Sequence, residues 1–127
     1  MYVKQINTQH SKLSAINLRQ LMIQGENNIY LVQEPYKYKN KVIDIPAGFK
    51  TFGTEKSRAI IIAHKEMNFI YSNELSKDDV TVCYMNNTKK YFASIYSNIH
   101  KQAVDNFLIK IIIELKITLQ NALYNII

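Results

Sequence analysis

The chain of 127 residues is 47% hydrophobic and 20% charged, so it reads as one globular domain with its own core and not as a disordered segment. Its single cysteine, Cys83, excludes an internal disulfide and any zinc site built from several cysteines, and points to an intracellular, reducing compartment, nuclear or cytoplasmic. The net charge of +6 favours a polyanionic partner, although its 14 lysines against 2 arginines come with abundant Asn and Ile, as A+T-rich coding sequence would produce.

Tyr2–Asn7 alternates apolar and polar residues and predicts a short strand; Lys4, Gln5 and Asn7 also interrupt any run that could serve as a secretory leader. Ser11 is placed to cap a helix over Ser11–Gln24. There Ala15, Leu18, Leu21 and Met22 recur at helical spacing, Asn17, Arg19, Gln20 and Gln24 face out, and Gly25 supplies a stop. Ile29–Val32 is a continuous apolar run followed by Gln33, Glu34 and Pro35, the pattern of a buried strand. Strand, helix and strand within about thirty residues form a βαβ-like unit, so the two strands are expected to be parallel.

Tyr36–Glu55 reads as a long loop carrying Lys37, Lys39, Lys41, Pro46, Gly48 and Gly53. Ala59–Ala63 predicts a strand and Phe69–Tyr71 a short one. Val80–Met85 and Tyr91–Tyr96 predict a hairpin about the turn Asn86-Asn87. From Gln102 the period returns to helical, with Val104, Phe107, Ile111 and Leu115 on one face. Lys110, Glu114 and Lys116 make this segment too polar to span a membrane, so a soluble protein is expected. Ala122–Ile127 reads as the opening of another strand. The fold class is α/β (α+β), with a mixed sheet and two main helices.

Glu34 is the most informative residue. It follows a buried apolar run, and a carboxylate without a partner there costs on the order of several kcal/mol. A cation, a lysine or a loop that it caps would each offset that cost, and local spacing does not choose among them. Asn7 ends the preceding strand in the same way. With parallel strands, Asn7 and Glu34 meet at the carboxyl edge of the sheet, where open α/β sheets hold their ligands. Lys37, Lys39 and Lys41 interleave with Tyr36 and Tyr38, a pattern suited to gripping a nucleic-acid backbone and equally to a solvated loop. His10 suits a helix start. His64 has no partner at metal-ligand spacing and is expected on the surface, and Cys83 is expected as a packed core thiol.

Gln5-Ile6-Asn7, a helix, and then Leu31-Val32-Gln33-Glu34-Pro35-Tyr36 resemble the opening of the endonuclease/exonuclease/phosphatase superfamily. The likeness is strongest to the apurinic-type endonuclease domain of non-LTR retrotransposons (jockey-like elements), and it continues through Ser57-Arg58-Ala59, Asp79-Val80-Thr81-Val82 and Ala93-Ser94-Ile95-Tyr96. The resemblance implies a metal-dependent, reverse-transcriptase-associated DNA endonuclease that hydrolyses phosphodiesters. It implies that Glu34 is a ligand of a divalent cation, usually Mg2+, that Asn7 orders the metal cluster, and that Tyr96 lies close to the scissile phosphate. Arg58 matches a frequent arginine to which the resemblance gives no role.

The same resemblance implies the N-terminal half of a four-layer α/β sandwich, of which this chain would supply about one layer. A Gly-Asp-Phe-Asn motif and a later aspartate–histidine pair would complete the site, and neither occurs in these residues. Three expectations follow: weak or absent magnesium binding, essentially no turnover by the chain alone, and an exposed sheet to be covered by self-association or a completing partner. The alternative reading is a non-catalytic basic α/β module that binds nucleic acid or another partner.

Overall fold

In the computed structural model, which describes residues 2–25 and 27–96, the N-terminal segment forms a strand, β1 (Val3–Asn7), followed by a helix, α1 (Lys12–Gln24). The helix expected from Gln102 and the strand expected from Ala122 lie outside the described residues. Ser11 caps α1 as its position predicts: its backbone is extended, and its hydroxyl accepts a hydrogen bond from Ser14 N at 3.3 Å. Gly25 ends the helix, donating to Leu21 O at 2.9 Å. A Cβ there would make the Asn28 side-chain amide shift. α1 buries Leu18 and Met22 and half-buries Ala15, but Leu21, expected on the same face, is 40% exposed. The buried stripe is narrow and Leu21 lies on its shoulder.

The apolar run becomes β2 (Ile29–Gln33), which pairs with β1 in parallel, with Val3 opposite Ile29 and Asn7 opposite Gln33. The segment expected to be a loop holds three strands. β3 (Lys37–Tyr38) and β4 (Lys41–Val42) form a hairpin whose two turn residues, Lys39 and Asn40, both take positive φ, at 51° and 64°. That backbone matches the twist of paired strands, and an Asn-containing turn reaches it without glycine. β5 (Phe49–Phe52) was hidden because only its end residues are apolar; Phe49 packs into one core and Phe52 into the other.

β6 (Ala59–His64) lies between β2 and β5 and is antiparallel to both, which completes a mixed sheet of order β1-β2-β6-β5. A 3-10 turn, Lys65–Met67, leads to β7 (Phe69–Tyr71), β8 (Val80–Met85) and β9 (Lys90–Ile95), an antiparallel sheet of order β7-β8-β9. His64 caps the 3-10 turn, and its ring stands edge-on to Phe49 at 5.4 Å; it is half-buried, not a free surface histidine. No helix among the described residues is long and apolar enough to cross a membrane.

Alternation along β2 and β6 feeds two cores. Tyr30, Val32, Ile60 and Ile62 pack with Leu18 and Met22 of α1. Ile29 and Ile61 point the other way and pack with Cys83 and Met85 of β8. The described residues therefore stack helix, sheet and sheet in three layers, which corrects the expectation of about one. Cys83 is fully buried, and burial pushes its thiol up to about 12, as a packed core thiol requires.

Polar groups also cross between the sheets. Gln33 Nε2 donates to Ser94 Oγ at 2.9 Å, Ser94 Oγ donates to Val32 O at 3.3 Å, and Thr81 Oγ1 donates to Ala59 O at 2.6 Å, all of them buried. A Ser94→Ala substitution would strip the buried Gln33 amide of this acceptor. The expected loss is about 1–3 kcal/mol of unfolding free energy, read from denaturant midpoints at unchanged slope.

Candidate functional site

The parallel and antiparallel pairings bring five strand ends to one edge. β1, β2 and β9 finish there, at Asn7, Gln33 and Ile95, while β6 and β8 begin there, at Ala59 and Val80. Just beyond those ends lie Glu34, Arg58, Asp79 and Tyr96.

Backbone hydrogen bonds lace these residues together. Glu34 O accepts from Thr8 Oγ1 at 2.6 Å and from His10 N at 2.9 Å. Glu34 N donates to Arg58 O at 2.8 Å, Arg58 N donates to Asp78 O at 2.6 Å, and Tyr96 N donates to Asp79 O at 2.8 Å. The tight turn between Lys77 and Val80 thus ties the start of β6 to the end of β9. Glu34 itself has φ 49°, in the left-handed region. A glutamate there carries strain of order 1–3 kcal/mol and persists only because its peptide is held on both sides.

The Tyr96 hydroxyl lies within reach of the Glu34 carboxylate. Desolvation, followed by hydrogen bonding towards Glu34 and the Glu34 charge, holds the phenol above its ordinary range; Arg58 opposes the shift and Asp79 adds to it. Tyr96 is therefore a proton donor near neutral pH and not a base. The Arg58 guanidinium lies over the Tyr96 ring, 5.6 Å from its centroid, and its Nε meets Asp79 Oδ1 at 2.5 Å. With these side chains 53% and 34% exposed, the ion pair is worth about 0–1 kcal/mol to stability.

Asn7 reaches the same edge, opposite Gln33, but its side-chain oxygen is engaged locally, accepting from Gln9 N at 2.9 Å. His10 is exposed and meets Glu34 through its backbone only. The three lysines separate. Lys37 is half-buried, its Nζ donating to Glu55 O and Ser57 O, both at 2.7 Å. Desolvation lowers its pKa against the raising effects of Asp78 and Glu55. Lys39 and Lys41 are exposed at the β3–β4 hairpin, with Lys39 Nζ 5.5 Å from the centroid of the exposed Tyr38 ring. Sequence reasoning left Arg58 without a role and did not single out Asp79. Their only signal was position, each directly before an apolar strand.

Among the described residues, no group of three or more His, Cys, Asp or Glu side chains gathers to hold a metal. Glu34 offers one hard oxygen donor group. One carboxylate fits an ion such as magnesium, which keeps most of its waters, and does not fit a closed protein cage.

No family model matches the chain, and no curated protein matches it. Among solved structures, the endonuclease domain of TRAS1, a telomere-specific non-LTR retrotransposon, is similar with a TM-score of 0.69. The fold is that of an endonuclease domain. Identity is 21% over 92% of this chain and 52% of that one, so the chain spans about half the length of the TRAS1 domain.

The Tyr96 environment makes a titration prediction. A UV-detected phenolate titration of the chain, minus that of Tyr96→Phe, is expected to give a midpoint above that of free tyrosine. Because Arg58 lowers the value, Arg58→Gln is expected to move it higher still; a downward shift would refute the assigned geometry.

Proposed function

We propose that this chain carries the glutamate-bearing half of the active site of a metal-dependent DNA endonuclease. One observation carries the reading: Glu34 is held in strained backbone at the converging strand ends, its carboxylate against Tyr96, in a fold shared with an endonuclease domain. Strain stored at a ligand-facing edge is the pattern of a functional group held ready, not of a loop cap.

Glu34 would hold the magnesium ion, which when bound supplies charge to offset that developing on a phosphoryl oxygen. Tyr96, protonated and anchored, would keep the carboxylate oriented and present its ring edge to the substrate. Asn7 would direct its amide to the same edge if the Gln9 contact opens. Among the described residues no general acid–base pair gathers around Glu34, so this chain alone is expected to bind DNA, to hold metal only weakly and not to turn over.

The expected result is manganese-induced NMR line broadening centred on Glu34 and Tyr96 and abolished by Glu34→Ala. Broadening unaffected by that substitution would overturn the metal assignment. Magnesium-dependent nicking of plasmid by this chain, lost on Glu34→Ala, would overturn the expectation of no turnover.

The second reading, a non-catalytic nucleic-acid-binding module, draws on the exposed Tyr38, Lys39 and Lys41 of the β3–β4 hairpin. It predicts DNA affinity that weakens with salt, survives Glu34→Ala and falls when Lys39 and Lys41 are replaced together by Gln. Lys37→Gln is a separate case: it removes two carbonyl contacts and is expected to lower stability by about 1 kcal/mol or more.

A further inference from the structure

Arg58 is an arginine in a chain whose other cations are nearly all lysine, and it stands at the edge where Glu34 and Tyr96 meet. Its peptide is fixed on both sides, by Glu34 N and by Asp78 O. Its side chain is held as well: Asp79 takes Nε, and the guanidinium carbon lies over the Tyr96 ring, 5.6 Å from its centroid. Among the described residues, the two terminal nitrogens have no partner, and the side chain is 53% exposed.

The contact with Nε serves Asp79 Oδ1, which is buried and has no other hydrogen-bond partner, but it does not account for the two open terminal nitrogens. Recognition of an anion does. A guanidinium held by Nε and stacked on an aromatic face presents its terminal N–H groups as a fixed fork. That fork matches two phosphate oxygens and loses little freedom on binding. Asp79 does not cancel this attraction, because it neutralises one side while the other faces solvent. Glu34 repels a phosphate at close range, and Arg58, which like Glu34 acts on Tyr96, offsets that repulsion.

We infer that Arg58 is a phosphate-contacting residue, taking a backbone phosphodiester of the nucleic acid at the Glu34–Tyr96 edge, with Asp79 as its positioning residue. This rests on the nuclease reading above and adds to it a residue that holds the substrate.

The test is fluorescence anisotropy of a short labelled DNA duplex with the 127-residue chain in EDTA, over a range of salt concentrations. Without metal, cleavage cannot interfere. Arg58→Gln is expected to weaken binding about fivefold and to lower the slope of log affinity against log salt by about one. Glu34→Gln, which removes a negative charge, should bind at least as tightly as the native chain. Asp79→Asn should lose less than Arg58→Gln, because the fork remains without its anchor. Arg58→Gln with native affinity and slope overturns the inference and leaves the nuclease reading standing. Asp79→Asn losing as much as Arg58→Gln also overturns it, because Arg58 would then act through the fold. A native chain with no salt-dependent DNA binding removes the nuclease reading, and the inference with it. Thermal melting of each variant separates loss of contact from loss of structure, and Arg58→Lys, which keeps the charge without the fork, should recover the slope but not the full affinity.

Discussion

β2 and β6 are buried on both faces, and the rest of the structure follows from that constraint. A strand covered by α1 on one side and by the β8–β9 hairpin on the other has no exposed face on which to carry chemistry. Its side chains must be apolar or hydrogen-bonded within the protein, as Gln33 is to Ser94. Reactive groups can then occur only where the strands stop. Glu34, Arg58, Asp79 and Tyr96 sit at such stops, and their gathering is a consequence of strand direction: three strands end at this edge and two begin there.

The edge is organised from the backbone outward. The peptide of Glu34 receives Thr8 and His10 on its carbonyl and gives its N–H to Arg58. The Asp78–Asp79 turn then takes Arg58 N and Tyr96 N. Peptide groups beyond the last ladder bond would otherwise be left without partners, and here they satisfy one another. The same bonds over-determine the backbone at Glu34, which lets a glutamate remain at positive φ. Side-chain geometry comes next: the carboxylate meets the phenol, the phenol supports the guanidinium, and the guanidinium meets Asp79.

The likeness to the TRAS1 endonuclease domain fits this division of labour. It covers most of this chain and about half of that domain, at an identity too low to carry function with it. What the two share is a scaffold that brings strand ends together, and scaffolds of this kind host more than one chemistry. The functional reading therefore rests on the edge residues themselves. Basic residues divide accordingly. Lys37 is committed to two carbonyls, whereas Lys39, Lys41 and Arg58 are open to solvent, so count and net charge do not measure what is available to a polyanion.

Several features were determined by the sequence alone, because they depend on neighbours in the chain. The cap at Ser11, the stop at Gly25, the parallel pair about α1 and the hairpin of β8 and β9 follow from spacing and turn chemistry. Glu34 stood out because it ends an apolar run. β5 and the β3–β4 hairpin were not legible, since a four-residue strand with two polar centres and a two-residue strand leave almost no period to read. The exposure of Leu21 depended on how much of α1 the sheet could cover. Tertiary structure alone decided that the protonated Tyr96, 62 positions from Glu34 in the chain, meets that carboxylate, and that Arg58 and Asp79 frame the pair. The physical reason is that sheet-on-sheet packing sets which strand ends meet, and no local pattern encodes that meeting.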